Sequence, residues 1–247
     1  MRLLKLEDNG HFILTEYSGN DVPKYAILSH TWGSDSEEVT FQDLKDGTGK
    51  NKHGYRKIHF CGKQAAKDTL HHFWVDSCCI DKSSSAELSE AINSMFRWYQ
   101  EAERCYVYLS DVLNNTSNGH TESSRRWKPA FKKSRWFTRG WTLQELLAPE
   151  SVEFFSKEGE RLGDKQSLGQ TLHEITRIPT KILQGGPLSD FSVTERFSWA
   201  ANRQTKCAED EAYCLLGMFG VHLPLVYGEG RFSAMKRLLN EVEGPPM

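Results

Sequence analysis

Apolar positions along the chain alternate between short continuous runs and stripes spaced three and four apart. Tyr25-Ala26-Ile27-Leu28-Ser29 follows Pro23 and gives way to the polar, glycine-containing His30-Thr31-Trp32-Gly33, which predicts a buried strand feeding a loop. Across residues 58–72, Ile58, Cys61, Ala65 and Leu70 fall on one face of a helix. Phe73-Trp74-Val75-Asp76-Ser77-Cys78-Cys79-Ile80 is a second run whose length and β-branched and aromatic content predict a strand. Ser84-Ser85-Ala86-Glu87 has the spacing of a capping box, and Leu88, Ala91, Ile92, Met95, Phe96 and Tyr99 continue it as a helical stripe. Cys105-Tyr106-Val107-Tyr108-Leu109 predicts a third buried strand ending at Ser110-Asp111. Strand, helix, strand, helix, strand implies right-handed crossovers and a parallel sheet covered on both faces. Ligand sites in such sheets gather at the carboxyl ends of strands, here 29–33, 77–81 and 110–111.

The second half is more helical. Residues 114–124 read as an exposed, mobile polar loop, and the next helix carries Trp141 and Glu145 until Pro149 stops it. Val152-Glu153-Phe154-Phe155-Ser156 predicts a fourth strand, residues 157–163 a turn, and 164–178 a helix. Ser192-Val193-Thr194-Glu195 offers another capping box, and Phe232, Met235, Leu238, Leu239 and Val242 form a last amphipathic helix. The expected organisation is a single domain over 1–247, with an α/β core over about 1–160 and a mostly helical elaboration over about 161–247 packed on it.

Composition narrows the classes. A net charge of −2 gives no global basic footprint, so nucleic acid is not an expected partner. No apolar run approaches the ~20 residues of a membrane span. Acids at Glu7 and Asp8 interrupt what a secretory signal would need, and the chain reads as cytoplasmic. In that compartment the six cysteines are expected to be reduced. Without a C-x-x-C pair no metal site is expected. Gly47-Thr48-Gly49-Lys50-Asn51 imitates the end of a phosphate-binding loop, but Leu44 replaces the first glycine and Asn51 the magnesium-binding hydroxyl.

The chemistry-bearing segment is Arg139-Gly140-Trp141-Thr142-Leu143-Gln144-Glu145. Trp141 and Glu145 stand four apart, so on a helix they share a face: an aromatic plane beside an acid. A packed tryptophan with a solvated glutamate gives the same spacing.

Three ordered blocks, residues 25–33, 73–82 and 139–145, together with Glu211-Ala212-Tyr213-Cys214-Leu215-Leu216-Gly217 and Tyr227-Gly228-Glu229-Gly230, resemble the fungal heterokaryon-incompatibility (HET) domain. The likeness covers most of the chain and is to the HET domains at the N-terminus of large vegetative-incompatibility proteins. It implies a death-effector module triggered by fusion of unlike cells, self-association, and fusion to or interaction with a nucleotide-binding oligomerisation and repeat sensor. HET domains are in turn similar to TIR domains, which implies a flavodoxin-like or TIR-like parallel sheet flanked by helices. In TIR domains a helix carries a glutamate that serves NAD hydrolysis; Trp141 and Glu145 keep that spacing, with Thr142 where cysteine is usual.

The resemblance implies NAD as a substrate and no permanently bound cofactor. Glu145 is then the catalytic acid, since cleaving the nicotinamide–ribose bond develops positive charge that a carboxylate can stabilise. Ser29, His30, Thr31, Trp32 and Gly33 would form the nucleotide loop, with Thr31 to Gly33 offering backbone N–H groups to phosphates and Trp32 or Trp141 stacking a base. Asp76 and Asp81 would bind ribose hydroxyls. Two function classes stay open: an NAD or nucleotide hydrolase, and a non-catalytic scaffold that recruits partners.

Overall fold

In the computed structural model, residues 1–114 and 126–244 are described. The elements in chain order are β1 (Arg2–Leu6), β2 (Phe12–Glu16), β3 (Tyr25–His30), α1 (Phe41–Lys45), α2 (His53–Lys67), β4 (His72–Trp74), α3 (Ser85–Glu101), β5 (Arg104–Tyr108), α4 (Lys128–Lys132), α5 (Thr142–Leu147), β6 (Val152–Phe155), β7 (Arg161–Asp164), α6 (Gly169–Thr176), α7 (Thr180–Leu183), α8 (Val193–Ser198), α9 (Asp210–Tyr213), α10 (Leu216–Phe219) and α11 (Gly230–Glu243).

Among the described residues, seven strands make one sheet in the order β2-β1-β4-β3-β5-β6-β7. β4, β3, β5 and β6 are mutually parallel, with β3 paired from Tyr25↔His72 on one side and Ala26↔Arg104 on the other. Numbered among themselves, these four run 2-1-3-4, the start of the flavodoxin-like doubly wound order, whose switch point falls between β3 and β5. All six residues of β3 are buried, as a strand covered on both faces requires. The core is one cluster running from Leu3 to Leu238, with Trp74, Tyr99, Tyr106, Phe131 and Trp136 among its largest members.

The expected α/β architecture is present, and the sheet is mixed rather than wholly parallel. The β1–β2 hairpin, absent from the sequence reading, adds antiparallel strands beside β4, and β7 adds one beside β6 where a turn was expected. Leu4 pairs with Phe73, so the hairpin covers an edge that β4 would otherwise leave open. The second strand is much shorter than expected. It stops at Trp74, and the Cys78 and Cys79 amides fold back onto the Val75 carbonyl at 3.3 and 2.9 Å. The apolar residues from Val75 to Ile80 are buried by a turn, which a continuous apolar run cannot be told from by periodicity. Phe96, expected in the core, is only partly buried. The helix expected over 164–178 is confined to α6, because Asp164 ends β7 and its carboxylate accepts the Gln166 and Ser167 amides.

Caps decide the helix starts. Ser192 and Glu195 form the expected reciprocal box on α8. Ser84 caps α3 through the Glu87 amide, but the Glu87 carboxylate turns outward to Arg2 and the Asp81 amide, so that box is half made. The loop expected to be mobile over 114–124 lies, except for Asn114, outside the described residues.

Candidate functional site

β3 ends in Ser29 and His30, and what surrounds them is a buried polar cluster. The Ser29 hydroxyl donates to the Glu145 carboxylate and accepts from Trp136 Nε1 at 2.8 Å. Trp136 sits in a 3-10 turn, Arg135–Thr138, packed edge-on against Phe154. Glu145 lies on α5 and is 5% exposed. Burial pushes its carboxyl up to about 8, the charge of Asp76 adding to the rise while the Ser29 hydrogen bond, Arg203 and Tyr99 oppose it. At neutral pH this acid is therefore mainly protonated. It is neither a solvated surface glutamate nor a resting carboxylate.

His30 is buried beside two more acids. Its Nε2 stands 3.6 Å from Asp76 Oδ1 and 3.9 Å from Glu38 Oε2, both longer than a hydrogen bond. Desolvation, with Lys57, Lys82 and Arg135 adding to it, holds the imidazole well below its ordinary range, so these are not ion pairs. Asp76, two residues past β4, accepts from Trp32 Nε1 at 2.8 Å, and burial raises its carboxyl. Lys82 sets its ammonium 3.5 Å from the centre of the Trp32 ring. Arg135 reaches over the same loop, from Nε to Thr31 Oγ1 at 3.1 Å and from Nη2 to the Trp32 carbonyl at 3.3 Å. Among the described residues, His30 Nε2, Glu38 Oε2 and Asp76 Oδ1 are all buried without a hydrogen-bond partner. Three such atoms, two of them within 4 Å of the third, are unusual in a folded core.

The residues read from sequence thus separate into groups. Ser29, His30, Thr31, Trp32 and Asp76 come together with Glu145 around the carboxyl ends of β3 and β4. Gly33 stands beside them, but its N–H already donates to Glu38 Oε1 at 2.6 Å, so it is not a free phosphate donor. Asp81 is not in the cluster: its carboxylate accepts from Ser83 N at 3.0 Å in an exposed turn. Trp141 precedes α5 instead of lying within it, and its Nε1 donates to Asp210 Oδ2 at 3.1 Å. It joins α5 to the C-terminal helices, where the Asp210 carboxylate also accepts from the Tyr227 hydroxyl at 2.9 Å. Gly140 lets this strap form. A Cβ there would lie 2.5 Å from Thr205 Cγ2, and its N–H donates to the Gln204 carbonyl at 2.9 Å.

Several members were not legible beforehand: Glu38, Lys57, Tyr99, Arg135, Trp136 and Arg203. Lys57 did leave a signal. It shares the buried stripe of α2 with Gly54, Ile58, Cys61 and Ala65, a charge at a core position. Arg203 is held through Nη1 by the Arg139 carbonyl at 2.9 Å and Thr142 Oγ1 at 2.8 Å, and burial lowers its guanidinium to about 10. An open cleft of about 550 Å³, lined by Glu101, Arg104, Glu153 and Arg161 among others, lies at the amino ends of β5 and β6, away from this cluster. No group of three or more His, Cys, Asp or Glu among the described residues is arranged to hold a metal ion. No helix among them is long and apolar enough to cross a membrane.

A buried acid, a depressed histidine and an aromatic-lined loop thus stand together at the carboxyl edge of the sheet of an α/β domain. Residues 25–129, from the start of β3 into α4, match the family model described as Heterokaryon incompatibility protein (HET), and the chain carries that HET domain. Over 243 residues, 98% of this chain, it is 55% identical to Vegetative incompatibility protein HET-E-1 of Podospora anserina. The chain spans only 18% of the length of that relative. No solved structure matches it.

Proposed function

We propose that this chain is the effector domain of a vegetative incompatibility response, active when self-associated, and that its strand-end cluster hydrolyses NAD or a related nucleotide in TIR-like fashion. The observation that carries the reading is Glu145, a carboxyl buried among polar groups, titrating near 8, and hydrogen-bonded to Ser29 beside His30 and Asp76. Groups poised near working pH by burial and by a neighbouring charge are characteristic of reactive sites.

In the proposed reaction the C–N bond between ribose and nicotinamide breaks. Nicotinamide leaves with the bonding electron pair, water adds at the ribose carbon, and one proton is released. A cationic nicotinamide ring entering the cluster favours ionisation of Glu145, and the resulting carboxylate stabilises the positive charge on the ribose. Trp32 offers a stacking face to the base once Lys82 moves aside.

The burial of Glu145 keeps a second reading alive. An acid 5% exposed, with a hydrogen-bonded neighbour on the central strand, also serves simply to anchor α5, and the domain would then act as a scaffold that recruits partners. Both readings are tested with the chain fused to an inducible oligomeriser and incubated with NAD. The hydrolase reading expects free nicotinamide from wild type and its collapse in Glu145→Gln. Equal killing of cells by wild type and Glu145→Gln at equal abundance overturns it in favour of the scaffold.

A further inference from the structure

Glu38 occupies a place that suits an anion from outside. Its Oε1 accepts at 2.6 Å from the Gly33 N–H and at 2.6 Å from Lys57 Nζ, while Oε2 has no partner. Lys57 and Glu38 have side chains only 8% and 5% exposed, so this pair is sealed from water. The carboxylate also lies beside Gly54, in the first turn of α2, the end of a 15-residue helix that favours negative charge. A loop amide and a buried ammonium converging on one oxygen, beside the first turn of a helix, are donors that suit a phosphoryl group.

The surrounding charges agree. Lys57, Lys82 and Arg135 all act on His30 at the centre, and the facing acids are Glu38 and Asp76, with Glu145 mainly neutral. With Glu38 in place the cluster carries a small excess of positive charge. With Glu38 withdrawn, three cations face one acid, and the Gly33 amide and the Lys57 ammonium both lose their acceptor. Leaving them unpaired while buried is costly, so a replacement anion is strongly favoured. Glu38 lies in the loop 31–40 between β3 and α1 and takes no part in a sheet pairing.

We infer that the Gly33 amide and Lys57, beside the first turn of α2, form a binding site for a phosphoryl group, and that Glu38 is its internal occupant, displaced when the ligand enters. The inference rests on the reading of this cluster as a nucleotide site, and it assigns the position of the ligand's phosphate.

The test is calorimetric titration of the 247-residue chain with inorganic pyrophosphate and, separately, with ADP. Glu38→Gln removes the competing charge and should bind at least one of them about tenfold more tightly than wild type. Adding Lys57→Met should abolish the gain. Which of the two binds more tightly tells whether free phosphate or a nucleotide is the source. If Glu38→Gln unfolds because Lys57 loses its partner, pyrophosphate or ADP should restore a cooperative melting transition. A folded Glu38→Gln chain with wild-type affinity for both overturns the inference. So does a gain that survives Lys57→Met, or an unfolded chain that neither anion rescues. Nicotinamide release is a separate measurement: anion binding through Lys57 without NAD cleavage would sink the hydrolase reading and leave this site standing.

Discussion

Ser29 and Glu145 are 116 residues apart in sequence, and the hydroxyl of one donates to the carboxylate of the other at the end of the central strand. The same hydroxyl accepts from Trp136, so Ser29 is the joint between β3, α5 and the turn preceding α5. Ser29→Ala should therefore act twice. It leaves a buried indole N–H and a buried acid short of a partner, costing about 1–3 kcal/mol. It also removes a hydrogen bond that favours the ionised acid, so the Glu145 titration, followed by carbon NMR of the side-chain carboxyl, should move above its wild-type position. An unmoved titration would mean that the contact does not form in solution.

The pH dependence of stability follows from two buried acids and a buried histidine of opposite sign. Glu145 is raised from 4.5 to about 8 in the folded chain, so its contribution is fully present below about pH 4.5 and is lost as pH rises through 8. Asp76, also raised by burial, acts in the same direction. His30 is depressed below 6.5, so its contribution is present above that pH and is lost as pH falls through its folded value. The melting temperature should peak on the acid side of neutrality and fall between about pH 6.5 and 8. Thermal melts of Glu145→Gln should have a shallower fall over that interval, and parallel curves would remove Glu145 as the titrating group.

Asp210 is the clasp between the α5 segment and the C-terminal helices, since it accepts from both Trp141 Nε1 and the Tyr227 hydroxyl. Asp210→Ala should lower stability in denaturant by about 1–3 kcal/mol by leaving both donors without a partner. The isosteric Asp210→Asn keeps one acceptor oxygen and should lose less. Equal losses would mean that charge, not hydrogen bonding, is what the site requires.

α10 lies against α3 so closely that a Cβ on Gly217 would come within 2.0 Å of Phe96 Cβ. Gly217→Ala should cost about 1–3 kcal/mol through overpacking, with Phe96→Ala destabilising independently by loss of a partly buried ring. Gly217→Ala combined with Phe96→Gly should cost less than the sum of the two alone, because only glycine at 96 removes the Cβ that the new methyl would meet. Additive losses in a double-mutant cycle would place the two helices further apart.

The sequence by itself determined which segments must be buried on both faces and which on one. The runs at Tyr25 and Cys105 became β3 and β5, and the stripe from Leu88 to Tyr99 became α3, since side-chain periodicity is set locally by backbone geometry. It also marked Ser29 to Trp32 as strand-end residues, because a polar break after an apolar run is a local signal. Local signals end there. Phe73 to Ile80 reads identically as a strand or as a strand followed by a buried turn, and tertiary packing chose the turn that brings Asp76 to Trp32 and sets Asp81 in a separate turn with Ser83. Trp141 and Glu145 share a helical spacing, yet one is drawn to Asp210 and the other to Ser29, by partners 69 and 116 residues distant. Glu38 in the Gly33 cradle was equally hidden, since nothing in a loop's composition tells which buried ammonium will meet its carboxylate. Spacing encodes the face a residue presents, whereas the partner on that face is settled by the tertiary packing that desolvates both groups and makes their pairing obligatory.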